Sequence, residues 1–264
     1  MKPRVTTNPP MDLDVTRERL VKLGLVHASE QLATWLGEAV AEETAPQRFL
    51  DRMLEHELRE RDERRVRTSL VLSGLPTRQT LGNFDFAFQP ALERSRIETL
   101  ATCQWIRENR TLLIQGPPGV GKTHLAIALG MRAVELGFGV VFYRLEDLLT
   151  ALKRDADLPT RRLRSKKYLS TSLVIIDEVG FEPMSRHEAS LFFRLVSYRY
   201  GRGSILITTN KGVAEWPAVL AVDEVLATAI LDRLLHRCHV LNISGRSYRL
   251  RELERAATSN SAAR

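Results

Sequence analysis

The sequence comprises 264 residues, of which 44% are hydrophobic, and it carries a formal net charge of +7. This length allows a substantial hydrophobic core with a small second domain beside it. The composition is ordinary for a globular protein, and no apolar run approaches the length of a membrane span, so we expect no membrane segment. The first residues lack the apolar core of a signal peptide, which favours a cytoplasmic protein.

The cysteine content predicts the state of the thiols, and the net charge predicts the kind of partner. The two cysteines, Cys103 and Cys238, lie far apart in the sequence, so we expect reduced thiols rather than a disulfide or a metal site. A positive net charge favours a polyanionic partner, and nucleic acid is the usual one. An Arg-rich proteome would give the same total, so the location of the charges has to separate the two interpretations.

The N-terminal part of the chain shows helical patterns. Residues 1–15 contain three prolines and little periodicity, and are expected to form a flexible lead-in. Residues 16–73 are predicted to form a small helical domain: two short helices broken near Gly24, then a third with Pro46 in its first turn. The apolar stripe predicted for this third helix consists of Leu50, Met53, Leu54 and Leu58. The helix continues into the run 59–67, whose mixed charges indicate a solvated helix end.

A second domain is predicted over residues 74–255, followed by a disordered polar tail at 256–264. It opens with a linker at 74–82, rich in glycine and proline, and with three alternating phenylalanines at 84–88. Short apolar runs then alternate with helical patterns. The predicted strands are 111–115, 139–143, 173–177, 204–209 and 238–243, and the predicted helices include 123–136, 145–153 and 224–237. This alternation predicts an α/β fold with a parallel sheet flanked by helices on both faces.

Residues 116–123, GPPGVGKT, match the G-x-x-x-x-G-K-[ST] nucleotide loop, with an apolar strand before it and an amphipathic helix after it. The glycines let successive backbone N–H groups point at phosphate oxygens, and the helix N-terminus favours an anion. Lys122 is expected to reach the β- and γ-phosphates, and the Thr123 hydroxyl to bind Mg²⁺. The residues predicted to bind the nucleotide are Gly116, Pro117, Pro118, Gly119, Val120, Gly121, Lys122, Thr123 and His124.

Polar residues end two later strands. Asp177 and Glu178 follow the apolar run at 173–176, and Asn210 follows the strand at 204–209. Because ligands bind beyond the carboxyl ends of parallel strands, we expect these side chains at the nucleotide. Asp177 is predicted to hold Mg²⁺ together with Thr123, and Glu178 to polarise the water that attacks the γ-phosphate. Asn210 is predicted to orient that water.

A basic cluster lies between the helix at 145–153 and the acidic strand. Its members are Lys153, Arg154, Arg161, Arg162, Arg164, Lys166 and Lys167. Only Asp155 and Asp157 oppose these charges within the segment, so contact with the phosphate backbone of DNA is favoured over a solvated loop. Two further arginines, Arg233 and Arg249, are suited to phosphate but on spacing alone are surface residues.

Five segments together resemble the IstB-type helper ATPases of bacterial insertion sequences, which are relatives of the DnaC-type helicase loaders within the AAA+ class. They are GPPGVGKTHLAIALG, LVIIDEVGFEPMS, SILITTN, DEVLATAILDRLLHRCHVLNI and GRSYRL, and the resemblance covers about residues 46–255. It implies an AAA+ P-loop ATPase that uses ATP and Mg²⁺, assembles as a homo-oligomer through its ATP sites on double-stranded DNA, and assists a cognate transposase.

The resemblance also implies roles for single residues. It makes Glu178 and Asn210 catalytic, Arg233 an arginine finger that acts in trans, and Arg249 the second sensor. It places the basic insertion 153–167 where related initiators and loaders carry a DNA-facing helical insert. Only 15 residues follow Arg249, too few for a helical lid, which puts an intrachain role for Arg249 in doubt.

Other functions compete with transposition. A DnaC-like loader of a replicative helicase would share the motifs and would bind that helicase. A small-molecule kinase would need an acceptor pocket and a lid, and an ATP-gated scaffold would not need Glu178.

Overall fold

The computed structural model describes residues 12–76, 79–90, 92–220 and 224–251. Its contacts divide the chain into two compact units, Met1–Thr68 and Ser69–Arg264. This division precedes the predicted boundary at residue 73 and falls within the third helix. Residues 1–11 of the predicted lead-in and the whole predicted tail at 256–264 lie outside the described residues. Residues 13–15 are helical rather than part of a flexible lead-in, because Asp12 caps the first helix by accepting from Asp14 N at 3.0 Å.

The first unit is helical, as predicted. It contains α1 (Leu13–Lys22), α2 (Val26–Ala41) and most of α3 (Pro46–Ser73). Gly24, in the left-handed region at φ 76°, lies in the turn after α1. Glu57 of α3 is 2% exposed, and its carboxylate accepts from Ala28 N at 2.8 Å, in the first turn of α2. A remote carboxylate therefore serves the otherwise uncapped N-terminus of α2.

The face that α3 turns to the core differs from the predicted stripe. Met53 is buried with residues of α2, whereas Leu50, Leu54 and Leu58 are 40–63% exposed. The buried side of the helix follows Phe49, Met53 and Glu57 at intervals of four residues. The predicted stripe was therefore right for Met53 and wrong for the three leucines. Two adjacent faces of α3 carry apolar residues, and only packing against the core decides which face is buried.

The second unit contains a five-stranded parallel sheet, which confirms the predicted α/β fold. The strands are β1 (Thr111–Gln115), β2 (Val140–Arg144), β3 (Leu173–Val179), β4 (Ser204–Thr209) and β5 (Cys238–Asn242). They lie in the order β2-β3-β4-β1-β5, and every pairing is parallel. The central strands β1, β3 and β4 are almost fully buried, which is why they read as continuous apolar runs.

Helices cover the sheet and connect its strands. They are α4 (Arg94–Ala101), α5 (Gln104–Arg107), α6 (Lys122–Glu135), α7 (Leu145–Asp155), α8 (Thr160–Arg164), α9 (Lys167–Ser170), α10 (Arg186–Arg199), α11 (Trp216–Val219) and α12 (Glu224–Leu235). The aromatic residues at 86–88 form a short 3-10 helix. No helix in the described part of the chain is long and apolar enough to cross a membrane. The carboxyl ends of β1, β3 and β4 lie side by side. The nucleotide loop follows β1 and Asn210 follows β4, whereas Asp177 and Glu178 lie within the last three residues of β3.

Candidate functional site

The nucleotide loop connects β1 to α6, as predicted. Gly119 and Gly121 adopt φ values of 81° and 100°, which favour glycine. Both are also closely covered. A Cβ on Gly119 would lie 2.1 Å from the Oγ of Ser247, and one on Gly121 would lie 2.7 Å from the ring of Phe84. The glycines therefore permit the turn and leave room for two covering segments.

Lys122, the first residue of α6, lies inside this loop. Its Nζ donates to the carbonyl oxygens of Gly116 and Pro117, both at 2.8 Å. Burial lowers the pKa of Lys122; the carboxylate of Asp177 opposes this shift and the charge of Arg249 adds to it. Among the described residues, the hydrogen bonds of this half-buried ammonium go to neutral carbonyls, so it is a ready partner for an anion. Phosphate oxygens at this helix N-terminus would offer it that charge.

Thr123 and Asp177 meet across the end of the sheet. The Thr123 hydroxyl donates to Asp177 Oδ1 at 2.9 Å, and the Thr208 hydroxyl donates to the same oxygen. Asp177 is 2% exposed. Hydroxyl and carboxylate oxygens are ligands that Mg²⁺ prefers, and the ion commonly keeps waters and substrate phosphates as its other ligands. Among the described residues, no group of three His, Cys, Asp or Glu side chains is placed to hold a metal ion.

Glu178 adopts a left-handed backbone conformation, with φ at 64°. The conformation accompanies an irregularity in the pairing of β3 with β4 between Ile176 and Val179, and Glu178 N donates to the Thr208 hydroxyl at 3.1 Å. A left-handed backbone conformation costs a non-glycine residue roughly 1–3 kcal/mol. The half-exposed side chain lines the cavity, and its carboxylate lies 4.0 Å from Arg144 Nε. Strain of this kind at a strand end is typical of functional sites.

Asn210 follows β4 and lines the same cavity. Its Oδ1 is buried and has no hydrogen-bond donor among the described residues. Buried polar oxygens normally have a partner, so this atom is free to bind a ligand or an ordered water. The structure thus brings together Lys122, Thr123, Asp177, Glu178 and Asn210 at one end of the sheet, as the sequence predicted.

Lys122, Thr123, Glu178 and Asn210 line a cavity of about 310 Å³, whose other wall was not predicted, and Asp177 is hydrogen-bonded to Thr123. That wall consists of the segment 79–89, here called the wall segment, together with Tyr248 from the C-terminal part of the chain. The lining residues missed by the sequence analysis are Gln79, Asn83, Phe84, Asp85, Phe88, Gln89, Phe181, Thr208, Thr209 and Tyr248. His124 contacts the wall, since its Nε2 lies 2.8 Å from Thr80 O and its ring meets Phe84 edge-on at 5.2 Å. The three alternating phenylalanines at 84–88 were the available signal.

Arg249 lines the cavity of its own chain. The preceding residue, Tyr248, donates its N–H to Gly119 O at 2.9 Å, which brings the segment onto the nucleotide loop. The structure therefore places Arg249 at the nucleotide loop of its own chain, because a short segment after β5 is enough to reach the loop. Whether Arg249 acts on a nucleotide within one chain stays a prediction.

Arg233 lies elsewhere. It borders a separate cavity of about 220 Å³ with Thr111, the first residue of β1, so it is at the amino end of the sheet. Its guanidinium lies over the ring of Phe193 at 4.7 Å and donates to Ala229 O at 2.9 Å. Within one chain the structure does not bring Arg233 to the nucleotide loop.

Several residues of the basic cluster form ion pairs with carboxylates in the folded protein. Lys153 pairs with Glu188 of α10 at 2.7 Å, and this contact lowers the pKa of Glu188 to about 2. Asp155 is 2% exposed, and its carboxylate accepts from Arg154 at 3.3 Å and from Lys166 at 3.0 Å. Burial alone would raise the pKa of Asp155, but these hydrogen bonds and one from Tyr168 lower it.

Three residues of the cluster pair with carboxylates: Arg154 and Lys166 with Asp155, which the sequence placed among them, and Lys153 with Glu188 from outside the segment. Lys167 donates to Leu72 O at 2.8 Å. The exposed side chains of Arg161, Arg162 and Arg164, all on α8, make no hydrogen bond or ion pair within the described residues. The unpaired charge is concentrated on this one short helix.

Comparisons with known proteins agree with the site. An ATP-binding protein of insertion sequence IS21 from Pseudomonas aeruginosa is 44% identical over 238 residues, 90% of this chain and 89% of that protein. One of insertion sequence IS5376 from Geobacillus stearothermophilus is 40% identical over 204 residues, 77% and 81% of the two chains. AMPPCP-bound DnaA from Aquifex aeolicus has a similar fold, with a TM-score of 0.52 and 20% identity over 70% of this chain and 56% of that chain. The family described as IstB-like ATP binding protein matches residues 18–256, and the chain belongs to that family.

Proposed function

We propose that this protein is an Mg²⁺-dependent ATPase that binds double-stranded DNA and assists the transposase of an insertion sequence in the cytoplasm. The observation that carries the ATPase assignment is the cavity lined by Lys122, Thr123, Glu178 and Asn210, with Asp177 hydrogen-bonded to Thr123 and the Asn210 Oδ1 without a partner among the described residues. The names of the relatives support ATP binding and the setting of an insertion sequence.

Each residue has a distinct task in this proposal. The Lys122 ammonium leaves the loop carbonyls to contact the β- and γ-phosphates, and Arg249 neutralises the γ-phosphate from the other side. Thr123 and Asp177 hold Mg²⁺, which withdraws charge from the phosphate oxygens. The Glu178 carboxylate takes a proton from the attacking water, and Asn210 Oδ1 accepts a hydrogen bond from that water.

Two substitutions test the ATPase. Lys122→Ala removes the phosphate cation and should abolish nucleotide binding. Glu178→Gln keeps the shape but not the base, and should bind ATP normally while hydrolysis stops. Glu146→Gln, at an exposed position in the first turn of α7, is the matched control and should hydrolyse ATP at the wild-type rate. Wild-type turnover in Glu178→Gln would refute the assignment of the base.

DNA binding and assembly are parts of the same proposal. The unpaired arginines of α8 are suited to the phosphate backbone, where contacts are independent of sequence. Arg233 lies far from its own nucleotide loop, so an arginine finger at this position has to act on the ATP of a neighbouring copy. This geometry favours a homo-oligomer whose ATP sites are shared between subunits.

A mixing experiment tests the shared site. Arg233→Ala retains a complete nucleotide loop, and Lys122→Ala retains Arg233. Fingers of this kind contribute about 10³–10⁵ in rate in other NTPases, so either variant alone should be inactive. Mixed on DNA, the two should recover part of the ATPase activity. A mixture that co-assembles but stays inactive would exclude action in trans.

The alternative is a helicase loader. The names of the relatives, which place them in insertion sequences, favour transposition. Co-purification with the transposase of the same insertion sequence is the expected result, and binding to a replicative helicase instead would support the alternative.

A further inference from the structure

The segment 244–251, here called the cover segment, lies across the nucleotide loop. Tyr248 donates its N–H to Gly119 O at 2.9 Å, and the side chain of Ser247 occupies the space where a Cβ on Gly119 would lie. Arg249 follows these two residues directly and lines the cavity. The position of Arg249 in the cavity therefore depends on the contacts that fix the cover segment.

The wall segment 79–89 holds it. Gln89 Nε2 donates to Arg246 O at 3.2 Å, and a Cβ on Gly245 would lie 2.3 Å from Gln89 Oε1. The rings of Phe88 and Tyr248 meet edge-on with centroids 5.4 Å apart. The two segments are far apart in sequence, and they pack directly on each other at the mouth of the cavity.

One ion pair closes this contact. Arg251 Nη1 lies 3.1 Å from Asp85 Oδ2, and the two side chains are only 23% and 32% exposed. The Arg251 guanidinium also lies 4.5 Å from the Phe88 ring centroid and 4.9 Å from that of Tyr248. Asp85 is itself fixed, because its other carboxylate oxygen accepts from Phe88 N at 3.0 Å. A pair held on both sides is worth more than the usual mobile surface ion pair.

We propose that Asp85 and Arg251 are positioning residues of the nucleotide site: their ion pair fastens the cover segment to the wall and thereby holds Arg249 at the γ-phosphate. This inference rests on the proposed function, since it needs a nucleoside triphosphate in the cavity and Arg249 on its last phosphate. It makes the preference for ATP over ADP depend on an ion pair that acts through the position of Arg249.

The test measures the affinities of the full chain for fluorescent analogues of ATP and ADP. Arg249→Ala should reduce the ratio of the two affinities about ten-fold or more, as expected when one charge-assisted hydrogen bond is lost. Arg251→Gln should reduce the same ratio by a similar factor, and Asp85→Asn is a second variant with the same expected effect. Adding Arg251→Gln to Arg249→Ala should change the ratio no further, because the ion pair acts through Arg249. Arg251→Lys retains the charge and should restore part of the preference for ATP.

The control variant is Arg132→Gln, which removes an exposed ion pair with Glu135 on α6 and should leave the ratio unchanged. If Arg251→Gln and Asp85→Asn lower the melting temperature but keep the wild-type ratio, the pair is merely structural and the inference is wrong. Independent effects of Arg249→Ala and Arg251→Gln would also refute it. A wild-type chain that binds neither nucleotide would refute the proposed function itself, which is a different result.

Discussion

The three unpaired arginines of α8 allow the DNA-binding proposal to be tested by the salt dependence of the affinity for DNA. Each phosphate contact contributes about 0.9 to the slope of log K against log salt for duplex DNA. If Arg161, Arg162 and Arg164 each contact one phosphate, the triple change to Gln should lower the slope by about 2.7. Between 50 and 200 mM salt, a four-fold range, the salt effect on affinity should then shrink about 40-fold.

The assay is a salt titration of binding to duplexes of two unrelated sequences, with nucleotide present at a fixed concentration. Weakening should be equal on both duplexes, because phosphate contacts carry no sequence information. The matched control is Arg94→Gln with Arg132→Gln and Arg202→Gln, which removes the same charge from arginines that already have partners. If the control lowers the slope as much as the α8 variant, net charge and not α8 drives binding. An unchanged slope in the α8 variant would show that this helix is simply solvated.

Three further predictions follow from particular contacts. Gly119→Ala should abolish nucleotide binding while the fold persists, as measured by nucleotide titration and circular dichroism, because it combines an unfavourable φ with a 2.1 Å approach to Ser247. Met53→Ala should lower the free energy of unfolding by about 2–5 kcal/mol in denaturant titration, whereas Leu54→Ala on the exposed face should change it by about 0.5 kcal/mol. The fold lowers the pKa of Glu188 from its ordinary 4.5 to about 2, so the stabilisation from this carboxylate is present above pH 4.5 and is lost as the pH falls toward 2. Glu188→Gln should therefore lower the melting temperature at pH 7, and this deficit should shrink by pH 3.

The sheet and the phosphate end of the site could be predicted from the sequence because both depend on short-range patterns. A strand buried on both faces reads as a continuous apolar run, as in β3. Once the strands are known to be parallel, the residues after them have to meet at one edge. Asp177 and Asn210 required no further information.

The rest depended on contacts between distant segments. Lys153 appears unpaired in sequence because its partner, Glu188, lies on another helix. The orientation of α3 was ambiguous because adjacent faces carry similar apolar residues, and only the core selects Met53 over Leu54. The wall at 79–89 carries no phosphate-binding motif, so its part in the cavity is visible only after folding.

The two ends of the sheet have different chemistry, and this constrains how copies would assemble. The nucleotide loop lies at the carboxyl ends of the strands, whereas Arg233 lies beside Thr111 at the amino end of β1. A finger from one copy reaches the phosphates of another only if the amino end of one sheet faces the carboxyl end of the next. Such a contact joins two different surfaces, so it leaves a free surface at each end of any open assembly. A contact of this kind would therefore produce a ring or a helical filament rather than a two-fold dimer. A filament along DNA would place α8 of successive copies at regular intervals on the duplex.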